Sequence, residues 1–156
     1  AGTFDPIAYV DIVVIKKGSK IVKTWVVAIS DVSDNDYLFN EEERIEIIKR
    51  ALFTDLKFNK KNIKIISFKS LTTDLCKKYN ASIIIRGLRA VSDFEYEFQL
   101  AGMKKKLNNN IETIFLMSDV ENQIISSKFV KEIAKLKGNI SKFVTKSVIK
   151  SIKEKI

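Results

Sequence analysis

Four short runs rich in β-branched residues alternate along the chain with longer stretches of mixed polarity. The runs cover Trp25–Ser30, Ile63–Phe68, 82–86 and 111–116, and polar residues bound each of them. Short apolar runs with these boundaries predict β-strands.

The stretches between these runs have the spacing of amphipathic helices. Asn40 with Glu43 three residues later predicts a capped helix start, and Ile45, Ile48 and Leu52 then fall on one face. Helical spacing also covers 70–79, 90–107 and 126–136, the last running from a serine cap to Gly138 as a stop signal.

Strands that alternate with helices of this length predict an α/β fold with a doubly wound (Rossmann-like) parallel sheet. The chain has 156 residues, one proline and no internal repeat, so we expect a single domain over residues 1–156. In such a sheet, ligands bind outside the carboxyl ends of the strands. The loops that follow the strands are therefore where candidate chemistry is expected.

Composition narrows the choice of function. The net charge is +9, but nine lysines and only two glutamates lie in residues 128–156, and lysine outnumbers arginine 24 to 4. We interpret this tail as a solvated helix face and expect no nucleic-acid partner, because base and phosphate recognition favours arginine. No apolar run is long enough to span a membrane and no signal peptide is evident, so we expect a cytoplasmic protein without a membrane partner.

Cysteine and histidine content limits the metal and covalent chemistry. The chain has one cysteine, Cys76, and no histidine, so no soft-metal site is expected. Cys76 lies in the apolar spacing of Leu71, Leu75 and Tyr79, which indicates a core residue rather than a nucleophile.

Three loops carry candidate anion-binding groups. Residues 2–6, Gly-Thr-Phe-Asp-Pro, form a compact turn that offers the hydroxyl and amide of Thr3. Arg86-Gly-Leu-Arg89 ends the third strand. Its two arginines can bind phosphates, and its glycine permits a ligand to approach the backbone closely. An equally weighted alternative is that the arginines form a salt-bridge network with the acids at 93–97. Ser126 and Ser127 begin a helix, which suits an anion, although serine is also a common cap.

Taken together, residues 2–7, 85–97 with 99–101, 115–117 and 125–127 with 130–132 closely resemble the phosphopantetheine adenylyltransferases in order and spacing. The resemblance covers nearly the whole chain. It implies transfer of the adenylyl group of ATP to 4′-phosphopantetheine, with Mg²⁺ present, giving dephospho-coenzyme A and pyrophosphate. It also implies a homohexamer, with coenzyme A as a related ligand.

The same resemblance implies roles for individual residues. Thr3 and Arg89 would be catalytic, with Thr3 orienting the attacking phosphate. 4′-Phosphopantetheine would contact Thr3, Leu71, Thr72 and Arg86. ATP would contact Thr3, Phe4, Gly87, Leu88, Arg89, Glu97, Asn122, Gln123, Ile124, Ile125, Ser126, Ser127 and Lys128.

The chain departs from the family pattern between residues 8 and 37. The family's catalytic histidine aligns with Asp11 without a gap, or with Tyr9 if a two-residue gap is allowed, and helical periodicity favours the gap. The family's substrate-binding lysine aligns with Asn35. A catalytically silent relative that binds nucleotide or coenzyme A is therefore the alternative function.

The family pattern also places a first, central strand ahead of Gly2, and this chain begins at Ala1. We hypothesise that the N-terminal part of the sequence is incomplete or misread and that the natural protein is an active enzyme. Peptide sequencing that confirms residues 8–37 would exclude a misreading of that segment.

Overall fold

A computed structural model describes residues 1–32 and 36–156 and alternates helices with strands along the chain. The strands are β1 (Trp25–Ser30), β2 (Ile63–Phe68), β3 (Ile83–Leu88) and β4 (Glu112–Met117). The helices are α1 (Tyr9–Ser19), α2 (Glu41–Lys49), α3 (Thr72–Lys78), α4 (Val91–Leu107), α5 (Ser127–Lys135) and α6 (Lys146–Lys155). A π-helical stretch, Arg50–Asp55, continues α2, and a single 3₁₀ turn covers Val120–Asn122. The predicted α/β class is confirmed.

Most predicted boundaries agree with the structure. The amide of Glu43 donates to the Asn40 side chain at 2.9 Å, and the Asn40 amide donates back to the Glu43 carboxylate at 2.8 Å. This reciprocal cap is the one that the sequence predicts. At the end of α5, Lys137 rather than Gly138 adopts the left-handed conformation. Gly138 is needed instead for close packing, since a Cβ there would lie 2.6 Å from Ile133.

The strands form two parallel pairs, β1 with β2 and β3 with β4. Val27 faces Ile65 in the first pair, and Ile85 faces Ile114 in the second. The family resemblance places the first, central strand of the sheet ahead of Gly2, and no strand within residues 1–32 and 36–156 joins β1 to β3. Gly2 alone extends the first pair, by an isolated parallel bridge to Ile29. The facing edges of β1 and β3 therefore border a cleft.

Helix α1 packs against β1, β3 and β4 and so connects the two pairs. Two glycines permit this close packing. A Cβ on Gly18 would lie 2.6 Å from the Trp25 ring, and a Cβ on Gly87 would lie 2.5 Å from Val14. Glycine at these positions lets α1 approach β1 on one side and β3 on the other.

The main core lies between the first strand pair and helices α1, α2, α5 and α6, around Ile29, Ile48, Leu52 and Val148. A smaller cluster of Cys76, Ile84 and Ile111 lies beside the second pair. Cys76 is buried, and burial raises the pKa of its thiol. It is a core residue, as the apolar spacing predicts.

Candidate active site

A cleft lies between the two strand pairs, and the residues that follow β3 and β4 border it at the carboxyl ends of those strands. Strands β1 and β3, helices α1, α3 and α4, and the start of α5 provide its walls. Many of the predicted site residues line it: Thr3, Phe4, Asp11, Leu71, Thr72, Arg86, Gly87, Arg89, Glu97, Ile125, Ser126 and Ser127. The structure thus brings together residues from three separate loops.

Other predicted site residues do not line this cleft. These are Tyr9, Leu88, Asn122, Gln123, Ile124 and Lys128. Ile124 is 78% exposed and belongs to a separate apolar recess with Phe129 and Phe143. Asn35 lies outside the described residues.

The turn at residues 2–6 is fixed to three other parts of the chain. The buried carboxylate of Asp5 accepts hydrogen bonds from the amides of Leu38 and Phe39 at 2.8 and 2.9 Å. Lys131 of α5 donates to the same carboxylate at 2.9 Å. Ser127 donates its hydroxyl to the Pro6 carbonyl at 2.8 Å. The turn and the start of α5 are therefore held as one unit.

The two serines at the start of α5 already have structural partners. Ser126 caps the helix, its hydroxyl accepting from the Phe129 amide at 3.2 Å, as predicted for a cap. The hydroxyl of Ser127 is engaged by Pro6. Both residues still line the cleft, so the groups that they offer an anion are backbone amides at the positive end of the helix dipole.

Both arginines of residues 86–89, the arginine loop, form ion pairs with acids of α4. Arg86 makes a two-point contact with Glu97, from Nε at 2.9 Å and Nη2 at 2.6 Å, and also donates to the Ala1 carbonyl. Arg89 donates to Asp93 at 3.2 Å and to the Ile125 carbonyl at 3.2 Å. The ion-pair alternative considered for this loop is therefore present, and it orients both guanidinium groups at the cleft.

The structure places Asp11, not Tyr9, in the cleft. Tyr9, the position favoured by the gapped alignment, is the first residue of α1, packs against the main core and does not line the cleft. Asp11 lies two residues later, and its carboxylate accepts from the Ala8 amide at 2.9 Å. Burial raises the pKa of Asp11 to about 6, opposed by the Ala8 hydrogen bond and by the charge of Arg89. Asp11 thus adds a carboxyl group to a cleft that is otherwise suited to anions.

Three residues, two that line the cleft and one that binds the turn at residues 2–6, have no counterpart in the predicted set. Lys104 lines the cleft, and burial together with the nearby Arg86 lowers its pKa. It lies seven residues after Glu97 on α4, so helical spacing could have identified it. Ser118 follows β4 directly and lines the cleft, where the carboxyl-edge rule could have identified it. Arg44 of α2 binds the turn from behind, and no local pattern marks it.

Comparison with known proteins decides the family. A cytidylyltransferase-like family model matches residues 1–133. A phosphopantetheine adenylyltransferase of Pelagibacter ubique is 70% identical over 154 residues, which is 99% of this chain and 94% of the relative. The chain belongs to the phosphopantetheine adenylyltransferases. Family members from Sphingopyxis alaskensis and Clostridium botulinum are 44% and 42% identical, each over 97% of this chain and over 88% and 92% of the relative.

Membership of this family makes the chain a nucleotidyltransferase. The phosphopantetheine adenylyltransferase pattern is present at the turn, at the arginine loop and at the start of α5, and it breaks at Asp11 within the same cleft. No group of three or more candidate metal ligands occurs in the part of the chain that the structure describes. Among the helices of residues 1–32 and 36–156, none has the length and apolar character to cross a membrane.

Proposed function

We propose that this chain, as one domain over residues 1–156, transfers the adenylyl group of ATP to 4′-phosphopantetheine. A phosphate oxygen of phosphopantetheine attacks the α-phosphorus of ATP. The bond between that phosphorus and the oxygen that bridges the α- and β-phosphates breaks, and pyrophosphate leaves. The observation that carries the proposal is the cleft itself, which gathers Thr3, Arg86, Arg89 and the start of α5 around one space.

The chemistry of this transfer suits the groups that line the cleft. Attack of one phosphate on another brings anions together, so catalysis depends on positioning and on neutralising charge rather than on a covalent intermediate. Arg86 is suited to the phosphate of phosphopantetheine, with Leu71 and Thr72 along the pantetheine arm. Arg89 and the amides at the start of α5 are suited to the phosphates of ATP.

The proposal includes Mg²⁺, which binds together with ATP. The described residues offer no cluster of three acids to hold the ion alone. Mg²⁺ commonly keeps most of its ligands as water and substrate phosphate, with one or two carboxylates from the protein. The ion would neutralise charge on the phosphates, and Asp11 is a carboxylate of the cleft that does not already pair with a basic side chain.

The proposed assembly is a homohexamer in the cytoplasm. Helix α4 supports the assembly, because three large apolar side chains share one face of it and are exposed. They are Tyr96, Met103 and Leu107, each more than 60% exposed. An apolar face of this kind is typical of a surface that another chain covers.

A catalytically silent relative that binds nucleotide or coenzyme A is the second candidate. Asp11 favours it, because a carboxylate replaces the family's histidine inside the cleft. Formation of dephospho-coenzyme A from ATP and phosphopantetheine, beside calorimetric binding of ATP, separates the two candidates. Binding without turnover would support the silent relative.

Matched histidine variants sharpen this experiment. Asp11→His should raise turnover by about 10²–10³, the usual value of one group that stabilises charge in the transition state. Tyr9→His should give no increase, because Tyr9 packs against the core. Equal responses of the two variants would contradict this assignment.

A further inference from the structure

Arg44 is a fully buried arginine at the back of the turn that carries Thr3. Its side chain has no exposed surface. Nη1 donates to the carbonyl oxygens of Thr3 and Ser30, each at 3.1 Å, and Nη2 pairs with the carboxylate of Asp31. The guanidinium also lies 4.0 Å from the centre of the Tyr37 ring. One side chain of α2 thus binds the turn and the end of β1 together.

Burial of a guanidinium group is costly, so these contacts are needed to hold it there. A planar guanidinium offers several donors in a fixed fork, which lets it satisfy a carboxylate and two carbonyls at once. Lysine, with one charged nitrogen on a flexible stem, cannot reproduce this geometry. The position therefore requires arginine if the orientation of the Thr3 carbonyl matters.

The orientation of this carbonyl fixes the next amide. In a trans peptide the C=O and the following N–H point in opposite directions. Because the Thr3 carbonyl faces Arg44, the Phe4 N–H faces away from it. Phe4 lines the cleft in the left-handed conformation, with φ 49°, which a non-glycine residue adopts at a cost and only where its surroundings impose it. No group among residues 1–32 and 36–156 accepts a hydrogen bond from this amide.

We propose that Arg44 is a positioning residue that holds the Thr3–Phe4 peptide so that the Phe4 amide presents to a phosphate oxygen of the substrate. The identity of the ligand as a phosphate rests on the proposed function. Arg44 itself does not line the cleft. Its effect reaches the ligand only through the peptide that it holds.

The test observes this amide directly. Thr-Phe occurs once in the sequence, so labelling threonine at the carbonyl with ¹³C and phenylalanine at the amide with ¹⁵N isolates the Phe4 resonance. Pyrophosphate is the probe, titrated into the wild type and into Arg44→Met, Arg44→Lys and a control. The control is Asp55→Asn, which weakens the hydrogen bonds of Asp55 to Ser147. It therefore disturbs structure without touching the turn.

We expect pyrophosphate to move the Phe4 resonance in the wild type and in Asp55→Asn. In Arg44→Met we expect affinity to fall about tenfold and the Phe4 response to be lost, with partial recovery in Arg44→Lys. If Arg44→Met does not fold, the comparison of the wild type with Arg44→Lys tests the inference. A response in Arg44→Lys equal to that of the wild type, in amplitude and affinity, would overturn the inference.

The outcomes separate this inference from the proposed function. Pyrophosphate binding without a Phe4 response overturns the inference and leaves the proposed function standing. The full expected pattern without formation of dephospho-coenzyme A leaves the inference standing and overturns the proposed activity. Absence of pyrophosphate binding to the wild type overturns both.

Discussion

Replacement of Asp11 by asparagine should stabilise the protein at neutral pH and leave it almost unchanged near pH 4. Burial raises the pKa of this carboxyl from 3.8 to about 6, so the folded state binds the proton more tightly than the unfolded state. The contribution of Asp11 to folding therefore becomes less favourable as pH rises from about 4 to 6 and then stays constant. Asparagine removes this charge and retains an oxygen that can accept from the Ala8 amide.

The two pKa values give the magnitude. Their difference corresponds to about 3 kcal/mol above pH 6, at ~1.4 kcal/mol per pH unit. This is an upper limit, because Asp11 is half-buried and keeps some contact with water. Near pH 4 the same linkage gives less than about 1 kcal/mol.

Urea unfolding of the wild type and Asp11→Asn at pH 4 and pH 7 measures this difference. Glu154→Gln is the control, since Glu154 is an exposed residue of α6 and the substitution changes the net charge equally. At pH 7 and without Mg²⁺, Asp11→Asn should bind ATP more tightly than the wild type, because an ionised carboxylate about 4 Å from a phosphate charge costs roughly 1–4 kcal/mol. A stability difference that is the same at both pH values would refute the reasoning.

Three further predictions concern packing, the cleft and assembly. Gly87→Ala should destabilise the fold by about 1–3 kcal/mol in thermal unfolding, because its Cβ would lie 2.5 Å from Val14, and added Val14→Ala should recover part of the loss. Ser118→Ala should raise the free energy of unfolding by about 1 kcal/mol, because the buried hydroxyl has no partner within the described residues. If that hydroxyl forms a hydrogen bond with ATP, calorimetry should show weaker ATP binding by the variant. Met103→Glu should shift the mass measured by light scattering towards the 17.8 kDa monomer, and an unchanged mass would exclude α4 as the assembly face.

The sequence predicted the elements well where local patterns determine them. β1 and β2 have the expected bounds because each is a β-branched run between polar residues. The capped start of α2 follows from two residues three positions apart. The rule that ligands bind after parallel strands also located the arginine loop correctly at the cleft.

Long-range contacts set the limits of that prediction. Arg44 lies in the polar sequence that begins α2, and only the turn at residues 2–6 and the end of β1, distant along the chain, make its burial favourable. The choice between Tyr9 and Asp11 depends on which way the first turn of α1 faces, and packing against the core decides that.

The contact between Gly18 and Trp25 also provides the chain with its own optical reporter. Trp25 is the only tryptophan, and its ring rests on α1 at Gly18 while lining the cleft. Its fluorescence therefore arises from one indole, whose environment depends on the docking of α1. Trp25 begins β1 and lies at the opposite end of the strand from the carboxyl edge where ligands bind. Emission intensity and wavelength should therefore follow the docking of α1 during unfolding, without an attached dye.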